Sequence, residues 1–255
     1  ANVLAARFYA SGKHKEMSET VHTSITLALI SGIVMAFVGL LFSRAALEIM
    51  STPDNVIDQS ALYMRIYFLG MPFFMLYNYG AAILRAVGDT KRPLLFLIIS
   101  GIANAGLNML LVIVFDMGVA GVAIGTVVSQ FISCVLVLRC LHHSEGSYQL
   151  RFSKLTIKSF YLKQIFQVGV PAGIQSTVIN LSNALLQSSV NSFGSTAMAG
   201  YTAANNIFGF LYISVNSITQ SCMSFTSQNY GVRKTKRMDK ILIDCMILSF
   251  VFSFT

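Results

Sequence analysis

Long apolar runs separated by short charged clusters set the rhythm of this chain. Between Glu19 and Arg44, the segment Thr20–Ser43 carries only His22 among the charge-capable residues. A hydrocarbon layer about 30 Å thick is crossed by roughly 20 helical residues, so this run predicts a first membrane span. A second is predicted over Leu62–Leu84, which contains Pro72 and Gly80. Proline frees a carbonyl one turn back, which places a kink near Phe68. Pro93–Phe115 and Val119–Leu138 read as the third and fourth spans, joined by a tight reversal at Asp116-Met117-Gly118. Ile165–Asn191 and Met198–Thr226 read as the fifth and sixth, with a turn around Phe193-Gly194-Ser195-Thr196. Ala1–Ala6 looks like the end of an earlier helix and Ile241–Thr255 like the start of a later one. Those two ends predict an internal piece of a longer protein.

The connections carry the turn and cap signals that such a layout needs. Ser51-Thr52-Pro53-Asp54 is a loop and helix start, Gly88 suits a turn, and Pro93 suits a first helical turn. Leu141–Lys163 is the longest polar linker. The fold class is therefore all-α, a polytopic helical membrane protein. Its parts are 1–140, a linker over 141–163, and 164–255.

Composition agrees: 55% of the 255 residues are hydrophobic and 11% charged, against about 25% charged in soluble domains. A net charge of +8 raises the question of nucleic acid, but the basic residues lie in connecting loops. Assigning alternate loops to alternate sides puts 16 of the 18 Lys and Arg on one face, leaving Arg44 and Arg65 for the other. The positive-inside rule makes that face cytoplasmic, central linker included. A multi-pass protein of the cell's cytoplasmic membrane is expected, with lipids as partners, no nucleic acid, and a monomeric state.

A shift of 221 residues lays Tyr9, Lys13, Lys15 and Met17 on Tyr230, Lys234, Lys236 and Met238, four identities in nine positions. Both copies sit where one helix ends and the next begins. An even number of intervening spans makes the repeat parallel, a construction common among transporters.

The stretch Gln164–Val232 contains no Asp, Glu, Lys, Arg or His, yet holds seven Asn and six Gln. At 100° per residue, Ser176, Asn180, Asn183, Gln187 and Asn191 fall within an arc of about 80°. Tyr201, Asn205, Tyr212, Asn216 and Gln220 share an arc of about 100° on the next helix. Each helix thus has an amide stripe and an apolar back. An amide in hydrocarbon is costly unless bonded, so the stripes face water or other helices. One reading is a hydrated cavity that binds an amphiphilic organic solute through Asn180, Asn183, Gln187, Asn205, Tyr212 and Asn216; the other is interhelical glue. The lesser set Asn104, Asn108, Thr126, Ser129, Gln130 and Ser133, with Gly121-x3-Gly125, reads as packing.

Catalytic readings find little to stand on. No HExxH, GxSxG, phosphate-binding loop or paired intramembrane Asp occurs. None of the four histidines stands near a carboxylate at ligand or triad spacing, and the four cysteines lack CxxC spacing. No cofactor is expected, and transport energy would come from an ion gradient or another subunit.

Leu84-Arg85-Ala86-Val87-Gly88-Asp89-Thr90-Lys91-Arg92-Pro93 resembles a loop of the multidrug and toxic compound extrusion (MATE) transporters. Asn104-x3-Asn108 and Gly118-Val119-Ala120-Gly121-Val122-Ala123-Ile124-Gly125-Thr126 resemble the helices that follow it. Gly169-Val170-Pro171-Ala172-Gly173-Ile174-Gln175 and Ser227-Gln228-Asn229-Tyr230-Gly231 resemble second-half signatures. The resemblance implies two pseudo-repeated six-helix lobes, of which this chain holds the end of helix 2 to the start of helix 9. It implies export of cationic or amphiphilic compounds in exchange for Na+ or H+ by rocking lobes. The coupling carboxylate of many members lies on helix 1, ahead of these residues, and Ile165–Asn191 lacks the acid some branches place in helix 7. A related fold that flips lipid-linked saccharides is the alternative. A polyprenyl phosphate calls for basic groups inside the membrane, and these spans have none between their ends. A membrane-embedded enzyme or receptor is the reading from a different class.

Overall fold

The computed structural model describes residues 1–49, 54–191 and 195–254. Among them the chain is helical, with no strand: α1 (Asn2–Ala10), α2 (His14–Ile49), α3 (Asp54–Leu69), α4 (Met71–Ala86), α5 (Lys91–Met109), α6 (Gly118–His143), α7 (Ser159–Asn191), α8 (Ser195–Gly231) and α9 (Thr235–Phe254). They fall into two compact units, Ala1–Lys158 and Ser159–Thr255.

The helices overrun their apolar windows because charged ends stay helical outside hydrocarbon. Thus α2 extends Thr20–Ser43 at both ends. The kink expected near Phe68 is a break at Gly70, where α3 and α4 meet at 45°, with Pro72 in the first turn of α4. The third span closes in a wide π turn over Leu110–Val114, and the reversal after it uses positive φ at Asp116 (49°) and Gly118 (54°). Of the expected Ser51–Asp54 start, only Asp54 is described, and Phe193 and Gly194 of the next turn lie outside the described residues.

Packing in the first unit follows from one face of α2. Val21, Ile25, Ala28, Gly32, Ala36, Gly39, Ser43 and Leu47 recur every three or four residues and are buried, while Ile33, Val34, Phe37 and Leu41 on its other side are exposed. Small residues on the buried side let backbones approach. A Cβ added at Gly32 would lie 2.5 Å from Pro72 Cα. Where α3 begins, Arg44 bonds Glu48 at 3.2 Å and Asp58 at 3.1 Å.

The sequence repeat is also a repeat of backbone geometry. After α1, Ser11 N–H donates to Arg7 O, Gly12 N–H to Tyr9 O and Lys13 N–H to Phe8 O; after α8, Val232, Arg233 and Lys234 donate to Gln228, Tyr230 and Asn229. Every donor and acceptor is displaced by the same 221 residues. Both turns are Schellman caps whose left-handed residue is Gly12 (φ 67°) in one and Arg233 (φ 57°) in the other. The turn after α4 has the same form, with Gly88 (φ 93°) in that position and Asp89 N–H on Leu84 O.

Length and apolarity mark His14–Glu48, Lys91–Val114, Gly118–His143 and the bent pair Val56–Leu69 with Met71–Ala86 as able to cross a membrane. The second unit's α7 and α8, 33 and 37 residues long, are not among them. Their amides, hydroxyls and glycines dilute hydropathy below what a lipid-facing helix shows.

Candidate functional site

Both amide stripes lie in the second unit, and neither is closed off. Asn180, Asn183, Asn205 and Asn216 are exposed and Gln187 is half-buried, while Tyr212 is 56% exposed. The hydroxyls beside them return to their own helix: Ser176 donates to Ala172 O at 3.0 Å, Ser182 to Val178 O at 2.9 Å and Ser217 to Ile213 O at 2.9 Å. Such back-bonding satisfies a hydroxyl anywhere in a membrane. An Asn amide carries two donors and an acceptor and cannot be satisfied this way. Asn180, Asn183, Asn205 and Asn216 make no side-chain hydrogen bond to another described residue. Asn180, Asn183 and Gln187 lie on α7, and Asn205, Tyr212 and Asn216 on α8. They form two polar faces on neighbouring helices of one unit, each needing water, solute or other protein groups.

The first unit shows what interhelical glue looks like in this protein. Asn104 Nδ2 donates to Ser129 Oγ at 3.3 Å and Asn108 Nδ2 to Asn104 Oδ1 at 3.2 Å. Thr126 and Ser133 bond carbonyls of their own helix. A Cβ at Gly121 would meet Leu111 at 3.1 Å, and one at Gly125 would meet Asn108 Oδ1. The small-residue pair brings α6 against α5, and the amides lie inside that contact. Packing of α6 on α5 thus uses Asn104, Asn108, Ser129 and the glycine pair, while Asn108 Oδ1 and Gln130 Oε1 are buried without a hydrogen-bond partner among the described residues.

One residue whose role its sequence context hides is His22. It is 3% exposed, its Nδ1–H donates to Ser18 O at 2.6 Å, and its Nε2 accepts Arg151 N–H at 3.1 Å. The neutral ring thus fastens the linker to α2. Thr23 Oγ1 accepts Lys158 N–H at 3.3 Å, and Leu150 is fully buried with its N–H on Leu141 O at 3.0 Å. The stretch that reads as the longest polar linker lies docked along the first unit up to Lys158. The signal for His22 was slight: a lone imidazole one turn inside an apolar window.

Cys134, Cys140, Cys222 and Cys245 are free thiols. No group of His, Cys, Asp and Glu able to hold a metal occurs among the described residues.

Comparison with known proteins supplies the lineage. The chain is 30% identical over 253 residues to "Probable multidrug resistance protein YoeA" of Bacillus subtilis (strain 168), covering 95% of this chain and 54% of that protein. It is 21% identical over 252 residues to "Multidrug export protein MepA" of Staphylococcus aureus (strain NCTC 8325 / PS 47), covering 99% of this chain and 55% of that one. The chain thus spans about half the length of the curated relatives it matches. Its fold matches a crystal structure of MATE in the bent conformation with TM-score 0.89 at 19% identity, over 99% of this chain and 57% of that one. A MOP superfamily transporter from Pyrococcus furiosus, described by the reverse polarity of its binding pocket, gives TM-score 0.89 at 19% identity over 99% of this chain and 56% of that one. Two such neighbours match equally well, so the likeness speaks for fold alone. The family model described as MatE matches residues 1–110 and 171–255, two segments that fall in the two units and take in both copies of the repeated turn. This membrane chain of many helices belongs to the MatE family, whose members are transporters rather than enzymes.

Proposed function

We propose that the protein to which this chain belongs is a secondary active multidrug efflux antiporter. It exports cationic or amphiphilic organic compounds in exchange for Na+ or H+ by alternating access. The observation that carries this reading is membership of the MatE family, whose model matches residues 1–110 and 171–255. The amide stripes, each confined to one arc of α7 or α8, offer the place where a solute would be held. Two relatives described by multidrug resistance and multidrug export support the same direction.

In this reading Asn180, Asn183, Gln187, Asn205 and Asn216 line the second-lobe cavity and hydrogen-bond the solute, and Tyr212 offers a ring face to its cationic or aromatic part. No residue changes covalently, so the work is done by differential affinity for solute and ion in the two states. α7 carries no Asp or Glu, which leaves ion coupling to carboxylates elsewhere in the protein. The protein acts as a monomer in the cytoplasmic membrane, with the basic turns and linker in the cytoplasm, and carries no resident cofactor.

The test is the full-length protein carrying Asn180→Leu with Asn205→Leu. Drug export by everted vesicles is expected to fall at unchanged protein level in the membrane. Unaltered export would assign the stripes to packing.

A further inference from the structure

Two buried side chains of α2 clamp the linker at two points: His22 on Arg151 N–H and Thr23 on Lys158 N–H. Between the clamps the 151–158 segment stands over the first turns of α2. The half-open cleft between them has a volume of about 560 Å3, with Lys15, Ser18 and Glu19 from α2 and Ser153, Lys154 and Lys158 from the linker in its wall. Three lysines and one glutamate line it, so its net charge favours an anion. Its depth is set by sequence. The charged residues of α2 end at Glu19 and the uncharged run begins at Thr20, so the cavity sits where the helix enters the hydrocarbon. Lipid phosphates lie at that level, and lysines reach it with their stems along the apolar boundary.

We propose that this cavity binds the headgroup of an anionic glycerophospholipid. The phosphate lies among Lys15, Lys154 and Lys158, and headgroup hydroxyls donate to Glu19 and pair with Ser18 and Ser153. A bare phosphate would leave Glu19 facing like charge, whereas a polyol headgroup uses it as an acceptor. The site goes beyond the transport reading and holds whatever the passenger is. A lipid seated there would brace the linker against α2.

The full-length protein in dodecyl maltoside is titrated with phosphatidylglycerol, phosphatidylcholine and sodium phosphate, and its unfolding midpoint is read. Phosphatidylglycerol is expected to raise the midpoint saturably, and phosphatidylcholine to leave it unchanged. The variant K15A/K154A/K158A, whose three lysines are exposed, should keep the lipid-free midpoint. It should need about a hundredfold more phosphatidylglycerol, about fivefold per lysine, with K154A alone showing the fivefold step. K234A/K236A/K240A, on the other basic turn, should respond as wild type. A triple variant that responds like wild type, or an equal loss in the control variant, overturns the site. Sodium phosphate matching phosphatidylglycerol overturns the lipid assignment in favour of a soluble anion.

Discussion

Replacing Gly32 by Ala tests the packing of α2 against the bent helix pair. A Cβ at Gly32 would lie 2.5 Å from Pro72 Cα, 3.0 Å from Pro72 N and 3.2 Å from Met71 O. All three are backbone atoms, so no rotamer change relieves the overlap; α2 and α4 must move apart by about 1 Å to restore contact near 3.5 Å. Overpacking of this kind costs about 1–3 kcal/mol. The same substitution also adds helix propensity, worth about 1 kcal/mol. Gly101 measures that second effect alone, because a Cβ there meets nothing within 4 Å. The informative quantity is the difference between Gly32→Ala and Gly101→Ala, expected to be about 1–3 kcal/mol in favour of the latter. For a protein the length of its relatives, of which this chain covers about half, the conversion is about 1 °C per kcal/mol and the separation about 1–3 °C. A thermal melt of the detergent-solubilised full-length protein, followed by a thiol-reactive dye, reads it directly. Equal midpoints for the two variants would refute the close approach of α2 to Pro72.

Two further outcomes follow from named contacts. Gly12→Ala should lower stability by about 1 kcal/mol, because its φ of 67° is left-handed, and Arg233→Gly at the equivalent turn should raise it by a similar amount; chemical denaturation of the two variants measures both signs. His22→Ala removes the acceptor of Arg151 N–H and leaves Leu150 less firmly seated. The linker should then be cut several-fold faster by trypsin while the helices resist as before, with digestion followed by mass spectrometry of the Arg151 and Lys154 sites.

The helices were legible because hydrophobic thickness and charge spacing act locally. The second span's kink was foreseen from Pro72 and lies at Gly70, since the residue before a proline's turn is where the freed backbone bends. The role of His22 was not legible, because its partner Arg151 is 129 residues away in sequence and contributes only a backbone N–H. The repeat was a faint signal in four identities. Its two copies share the same backbone cap, with Arg233 where the first has glycine, a cap the turn after α4 also forms. At the candidate site the stripes were visible from periodicity alone, but periodicity ranks faces and does not say what covers them. The Asn104–Ser129 bond across α5 and α6 and the unbonded Asn180 and Asn205 share a composition and differ only in three dimensions.

The central claim is that the full-length protein exchanges an organic solute for an ion. Reconstituted into liposomes loaded with a pH- or Na+-sensitive dye, it should show ion flux that begins only when a cationic amphiphile such as ethidium is added, and in the direction opposite to the amphiphile. Solute binding without any solute-driven H+ or Na+ movement would contradict the account and leave the chain as part of a binding protein or of a transporter driven another way.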